Sequence, residues 1–206
     1  MDVDINRLLT ATTREAEGTE LRLVREYAAS PAEVWSAVTE PERIARWLAP
    51  VSGELRLGGR YQVEGNAGGE ITACDPPRSF AATWEFGGHV STLDVTLTEA
   101  GDGTRLELRH HLPSPPEHWE QFGPGAVGIG WELGMWGLEL HLADPSAPRP
   151  DPADLPDLSA LMARLGEAWG EAAVAGGADP AWARASAARC VAAYTGAPED
   201  TQAPEG

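Results

Sequence analysis

GAVGIGWELGMWGLELHL, residues 125–142, reads as one long and nearly all-apolar helix, and the reason for its glycines decides the fold. Gly128, Gly130, Gly134 and Gly137 each cost about 1 kcal/mol against alanine in a helix interior, so roughly 3–4 kcal/mol of intrinsic propensity is given up. Two explanations offset that loss. The glycines let a neighbouring sheet approach the helix backbone closely, or they leave room beside Trp131 and Trp136 for a bound molecule. Glu132 and Glu139, seven apart on one stripe of this helix, read as its solvated face.

The stretch before the helix supplies a sheet to cover it. From Ala49 to His111 turn residues recur at hairpin spacing: Gly58-Gly59, Asn66 to Gly69, Pro76-Pro77, Gly87-Gly88 and Gly101 to Gly103. That spacing predicts an antiparallel meander. Phe80, Ala82, Trp84 and Phe86 alternate onto one face, as do Leu93, Val95 and Leu97, and Leu106, Leu108 and His110. Thr83, Glu85, Asp94, Glu107 and Arg109 take the other face. A sheet with one apolar face and a long apolar helix bury each other.

Upstream, Thr19 to Tyr27 has the period-2 pattern of a half-buried strand. Ser30-Pro31-Ala32-Glu33 is a helix start, with an N-cap serine, proline at the first helical position and an acidic residue three after the cap. Val34, Trp35 and Val38 give that helix its apolar side. Glu42 to Leu48 reads as a second short helix carrying Ile44, Trp47 and Leu48. The chain therefore divides into an arm or short helix over 1–18, a domain over 19–142, a proline-rich linker over 143–156, a helical extension over 157–196 and a disordered tail over 197–206. In the extension, Leu158, Leu161, Met162, Leu165, Trp169 and Ala172 repeat at helical spacing, and Asp179-Pro180 starts a second helix.

Composition narrows the function. The formal charge of −17, from 32 acidic and 15 basic residues, repels phosphate backbones and anionic lipid, so nucleic acid and membrane insertion are excluded as partners. All 15 basic residues are arginine, which removes Schiff-base and phosphate-loop lysine chemistry. The opening residues lack the apolar core of a signal peptide, and no 18-residue uncharged apolar run follows, so a cytoplasmic protein is expected. Cys74 and Cys190, with no CxxC, read as ordinary reduced thiols.

No cofactor or metal is expected. Gly123 to Gly128 fits GxGxxG and opens a helix, but no strand precedes it and no βαβ unit surrounds it, so a nicotinamide site is rejected. His110 and His111 are adjacent in a strand and point to opposite faces, which argues against a shared metal.

The order of strand, two short helices, six-strand meander and long helix completes a pattern. With YAASPAEVWSAVTEPERIARWLAP, LGGRY, GGEITACDPPRSFAATWEF, GDGTRLELRH and GIGWELGMWGLELHL, it resembles the activator of Hsp90 ATPase homologue-like branch of the START/polyketide-cyclase (SRPBCC, helix-grip) superfamily. The likeness covers about residues 20–142. The extension EAWGEAAVAGGADPAWARASAARCVAAYTG resembles one found in actinobacterial members of that branch. The resemblance implies an α+β helix-grip fold: a curved antiparallel sheet wrapped around the long helix, with two further C-terminal helices. It also implies a deep cavity between sheet and helix, used by relatives for lipids, sterols, polyketides and plant hormones. It carries no reaction, because fold does not imply function.

The first functional expectation is a module binding a small hydrophobic or aromatic molecule in a cavity lined by Trp35, Trp47, Trp84, Phe86, His110, Trp131 and Met135. A second is an enzyme of the cyclase or hydrolase kind, with His110 as acid/base and Glu70 or Glu132 as helper. Against it stands a histidine held in the core by ordinary hydrogen bonds. A third is a co-chaperone-like interaction module, its helical extension serving as a homodimer face or as a lid.

Overall fold

The computed structural model describes residues 4–114, 118–148 and 157–196. Helix α1 (Ile5–Ala11) leads into strands β1 (Thr12–Glu17) and β2 (Glu20–Tyr27). Helices α2 (Pro31–Thr39) and α3 (Pro41–Trp47) follow. The meander comprises β3 (Val51–Gly53), β4 (Arg60–Val63), β5 (Gly68–Asp75), β6 (Ser79–Phe86), β7 (His89–Ala100) and β8 (Gly103–His111). Then come α4 (Trp119–Phe122), the long α5 (Gly125–Ala143), α6 (Ser159–Ala175) and α7 (Pro180–Thr195).

All eight strands form one antiparallel sheet in the order β1-β2-β8-β7-β6-β5-β4-β3, curved against α5 in an α+β helix-grip fold. Local chemistry places the elements. Ser30 Oγ accepts from Glu33 N at 3.3 Å and Asp179 Oδ1 from Trp182 N at 2.8 Å, so both cap-plus-proline starts act as the sequence implies. Phe86 pairs with His89 across a two-residue turn, Gly87-Gly88, whose φ values of 59° and 82° require glycine. A bulge between Ile71 and Ala73 bends β5.

Residues 4–17 differ from the expected arm or short helix. A helix is present over Ile5–Ala11, but Thr12–Glu17 is a full strand on the sheet edge. Its polar sequence, TTREAE, hides it, because only Thr12 and Ala16 are buried there. The expected linker is described only over 143–148, and the expected tail over 197–206 lies outside the described residues.

The glycines of α5 meet helices rather than the sheet. A Cβ on Gly128 would fall inside the ring of Trp169, a fully buried residue of α6. One on Gly137 would come within 2.9 Å of the Trp47 carbonyl oxygen at the end of α3, and one on Gly125 within 3.1 Å of Cys190 Sγ on α7. Gly134 is different. Its Cβ would make only ordinary contacts, 3.8 Å from the Trp47 ring and 3.9 Å from Leu48 Cδ1.

The expectation of a solvated stripe on α5 is corrected. Glu132 is 3% exposed, and both its oxygens are held at 2.9 Å by the guanidinium of Arg14 on β1. Glu139 is gripped between Arg7 and the buried Arg25. The partners sit more than 100 residues away in sequence, so helical spacing alone could not show the pairing. No described helix is long and apolar enough to cross a membrane.

Candidate functional site

Two clusters of buried apolar residues form, bridged by the partly buried Trp84. The larger joins Leu21, Leu23, Val95, Leu106 and Leu108 of the sheet to Ile129, Met135 and Leu138 of α5. The smaller gathers Tyr61, Val63, Ile71 and Ala82, with Leu48, Val51 and Leu55 packed on it. Between them lies a cavity of about 100 Å³ whose wall draws on both clusters. Apolar side chains from α2, α3, the meander and α5 make up the wall, with no charged residue among them.

Of the seven residues singled out from the sequence, Trp47, Trp84, Trp131 and Met135 line this cavity. Trp35 stands one layer back, edge-on to the lining residue Phe80 with ring centroids 6.1 Å apart. Phe86 is not brought to the wall: it is 60% exposed, because it ends β6 at the Gly87-Gly88 turn, past the covered part of the strand. His110 is buried at 3% exposure but does not line the cavity. Tyr61 of β4 and Ile71 of β5 do, and sequence reasoning missed both. The signal was available in the alternation of Tyr61 with Val63.

Polar groups of the wall bond to the protein itself. Tyr61 donates its hydroxyl to the Thr83 carbonyl at 2.7 Å, and burial pushes that hydroxyl up to about 12. Trp47 Nε1 donates to the Ala37 carbonyl at 3.0 Å. Trp131 Nε1 donates to His110 Nδ1 at 2.9 Å. An indole N–H only donates, so Nδ1 carries the lone pair and the proton sits on Nε2. Nε2 in turn lies 2.7 Å from Ser91 Oγ, which donates to the Trp84 carbonyl at 3.0 Å. The chain runs one way, from indole to imidazole to hydroxyl to backbone.

That direction decides what His110 can do. Its pairing with Ser91 has the spacing of a nucleophile and base, but the ring gives a proton to the hydroxyl rather than taking one. Both ring nitrogens are occupied. Burial, reinforced by the neighbouring His111, lowers the ring to about 4, so it stays neutral near pH 7. The proposed carboxylate helpers are engaged elsewhere or exposed: Glu132 pairs with Arg14, and Glu70 lies exposed on β5. The geometry is that of a core histidine that positions a tryptophan.

The extension lies elsewhere on the molecule. Helix α6 packs on β1 and α5, and α7 packs on α4 and α5. Leu161, Leu165, Trp169 and Cys190, the apolar stripe of the two helices, are buried within the chain. None of the residues lining the cavity comes from α6 or α7, so the extension is not a lid in this structure.

A curved sheet closed over a long helix, with an apolar space between them, is the architecture of the SRPBCC class. Residues 28–141 match the family described as Activator of Hsp90 ATPase homolog 1-like protein, and the chain belongs to that family. Among solved structures, the crystal structure of CalU16 from Micromonospora echinospora is similar at 33% identity and a TM-score of 0.65, covering 79% of this chain and 98% of that one. The solution structure of CalU16 gives 33% identity, a TM-score of 0.67, and 81% and 97% coverage. An HSP90 activator from Plasmodium falciparum shares the fold at 22% identity and a TM-score of 0.54, over 61% of this chain and 97% of that one. No curated protein matches the chain.

Proposed function

We propose that the chain is a binding module for a small, uncharged, apolar molecule held between the sheet, α2–α3 and α5, in a unit spanning residues 19–142. One observation carries the reading: the two apolar clusters leave a space between them that the chain does not fill, walled by aliphatic and aromatic side chains. Apolar wall left unburied forgoes roughly 25 cal/mol per Å² of stabilisation, so retaining the space needs a reason. At about 100 Å³ the space is below the ~300–1,000 Å³ of sites that enclose drug-sized ligands. A small ligand fits as the walls stand, and a larger one displaces a wall residue.

Charged ligands are disfavoured, because the wall offers no counter-charge and burying an unpaired ion costs several kcal/mol. Residues 157–196 serve as a brace behind α5 rather than as a lid. The free thiols of Cys74 and Cys190 suit a reducing compartment, and we place the protein in the cytoplasm.

The test is native mass spectrometry of the protein purified from its own host, followed by denaturing extraction. A stoichiometric apolar adduct is the expected result. A bare mass, with no shift on adding small aromatics, lipids or aromatic polyketides, overturns the reading.

A further inference from the structure

Trp131 is both a wall of the cavity and the partner of His110. It lines the space, it is only partly buried, and its ring lies 5.0 Å from Trp84 and 5.9 Å from His110 between centroids. His110, 6.3 Å from Trp84 by the same measure, is absent from the lining. The indole therefore screens the imidazole from the cavity.

About one turn along α5 from Trp131 there is room at Gly134, where a Cβ would meet nothing closer than 3.8 Å. Among the described residues, the bond to His110 Nδ1 is the one hydrogen bond the indole makes.

The direction of the relay fixes what is uncovered if the indole moves. Ser91 donates to the Trp84 carbonyl, so His110 keeps its proton on Nε2, and Nδ1 remains an acceptor with no donor. A buried acceptor left bare is costly, so an entering molecule must restore the bond or forgo the exchange.

We propose that Trp131 is a gate and that the preferred ligand is a neutral apolar molecule with one hydroxyl, phenolic or enolic, that donates to His110 Nδ1 in place of the indole. This rests on the binding reading above. It adds a specificity residue, His110, and a moving one, Trp131. The indole N–H is the built-in substitute for the ligand's O–H, which keeps the site satisfied when empty.

The test compares 1-naphthol with naphthalene, two probes of nearly equal size that differ by the donor. Binding is followed by titration of the full chain, with the indole N–H resonances read by ¹⁵N NMR. The expected result is 1-naphthol binding about tenfold more tightly, a difference of about 1.4 kcal/mol, with the Trp131 indole resonance shifting further for naphthol than for naphthalene and its N–H exchanging faster with water only when naphthol is bound. In Trp131→Phe, where nothing must be displaced from Nδ1, naphthol affinity rises several-fold. In His110→Phe the preference over naphthalene falls to about one.

Equal affinity for the two probes in the wild-type chain overturns the gate while leaving the binding module intact, as does an unmoved Trp131 resonance with naphthol bound. Failure of both probes to bind overturns the gate and the binding reading together. The wild-type comparison decides the matter even if either variant fails to fold.

Discussion

Trp131 and Glu132 are neighbours on α5 and face opposite kinds of surroundings. Glu132 points to α1, β1 and α6, where Arg14 holds it in a buried ion pair and Trp169 fills the notch at Gly128. Trp131 points to the cavity, where a neutral relay holds it and Gly134 leaves its notch unfilled. Glu132 is closed in by charge and close packing, whereas the Trp131 indole is held by a single neutral hydrogen bond. Rigid support on one side is what allows looseness on the other, because a helix free on both sides would slide and close the space.

The largest expected effect comes from attacking the packed side. Gly128→Ala places a methyl where the Trp169 ring lies, and that ring is fully buried with no room to retreat. A loss of about 3 kcal/mol is expected, at the top of the range for overpacking, despite the gain in helix propensity. Urea unfolding measures it. A loss below about 1 kcal/mol means that α6 is not a fixed brace, and the contrast between the two sides fails.

The next effect probes the neutral side through pH. The unfolded His110 ring takes a proton near pH 6.5, whereas the folded ring resists until about 4. The stability from this group is therefore complete above about pH 6.5 and falls as pH drops toward 4, by about 3 kcal/mol in all. His110→Gln removes this dependence while leaving the carboxylates and His141 in place. The stability gap between wild type and variant should narrow steadily from pH 6.5 to 4. A constant gap would show that folding does not weaken the ring's hold on a proton, and the neutral relay would fail.

The smallest effect sharpens the comparison most. Gly134→Ala meets only ordinary contacts, so it should stabilise the chain by about 0.5–1 kcal/mol. It should also weaken binding of any cavity ligand, since the methyl sits against Trp47 and Leu48 of the wall. Stability and binding measured on the same sample must move in opposite directions. If both improve, Gly134 does not guard the space.

Much of the fold was legible because it rests on short-range signals. Ser30 and Asp179 announce helices within three residues, and Leu93, Val95 and Leu97 announce a buried face by alternation alone. What was hidden depends on partners far along the chain. TTREAE is a strand because β2 lies beside it, and Glu132 is buried because Arg14 reaches it from β1. The site was legible where aromatic residues sit mid-strand or mid-helix, as at Trp84 and Trp131. It was misread at Phe86, where a correct alternation continues past the last covered residue. The role of His110 needed the direction of its hydrogen bonds, which no sequence pattern carries.

The strand order has a consequence for how the chain is made. Strand β2 pairs with β8, matching Glu20 to His111 and Tyr27 to Thr104. During synthesis at about 5–20 residues per second, Leu21 and Leu23 must wait roughly 4–18 s for the strand that buries them, with only the β1 hairpin beside them in the sheet. In that interval Arg25 is the charged residue that breaks the apolar row of Leu21, Leu23 and Tyr27, while Glu20, Arg22 and Glu26 take the other face. A charge within an apolar row lowers a strand's tendency to pair with a wrong neighbour, and the fold later holds that arginine against Glu139.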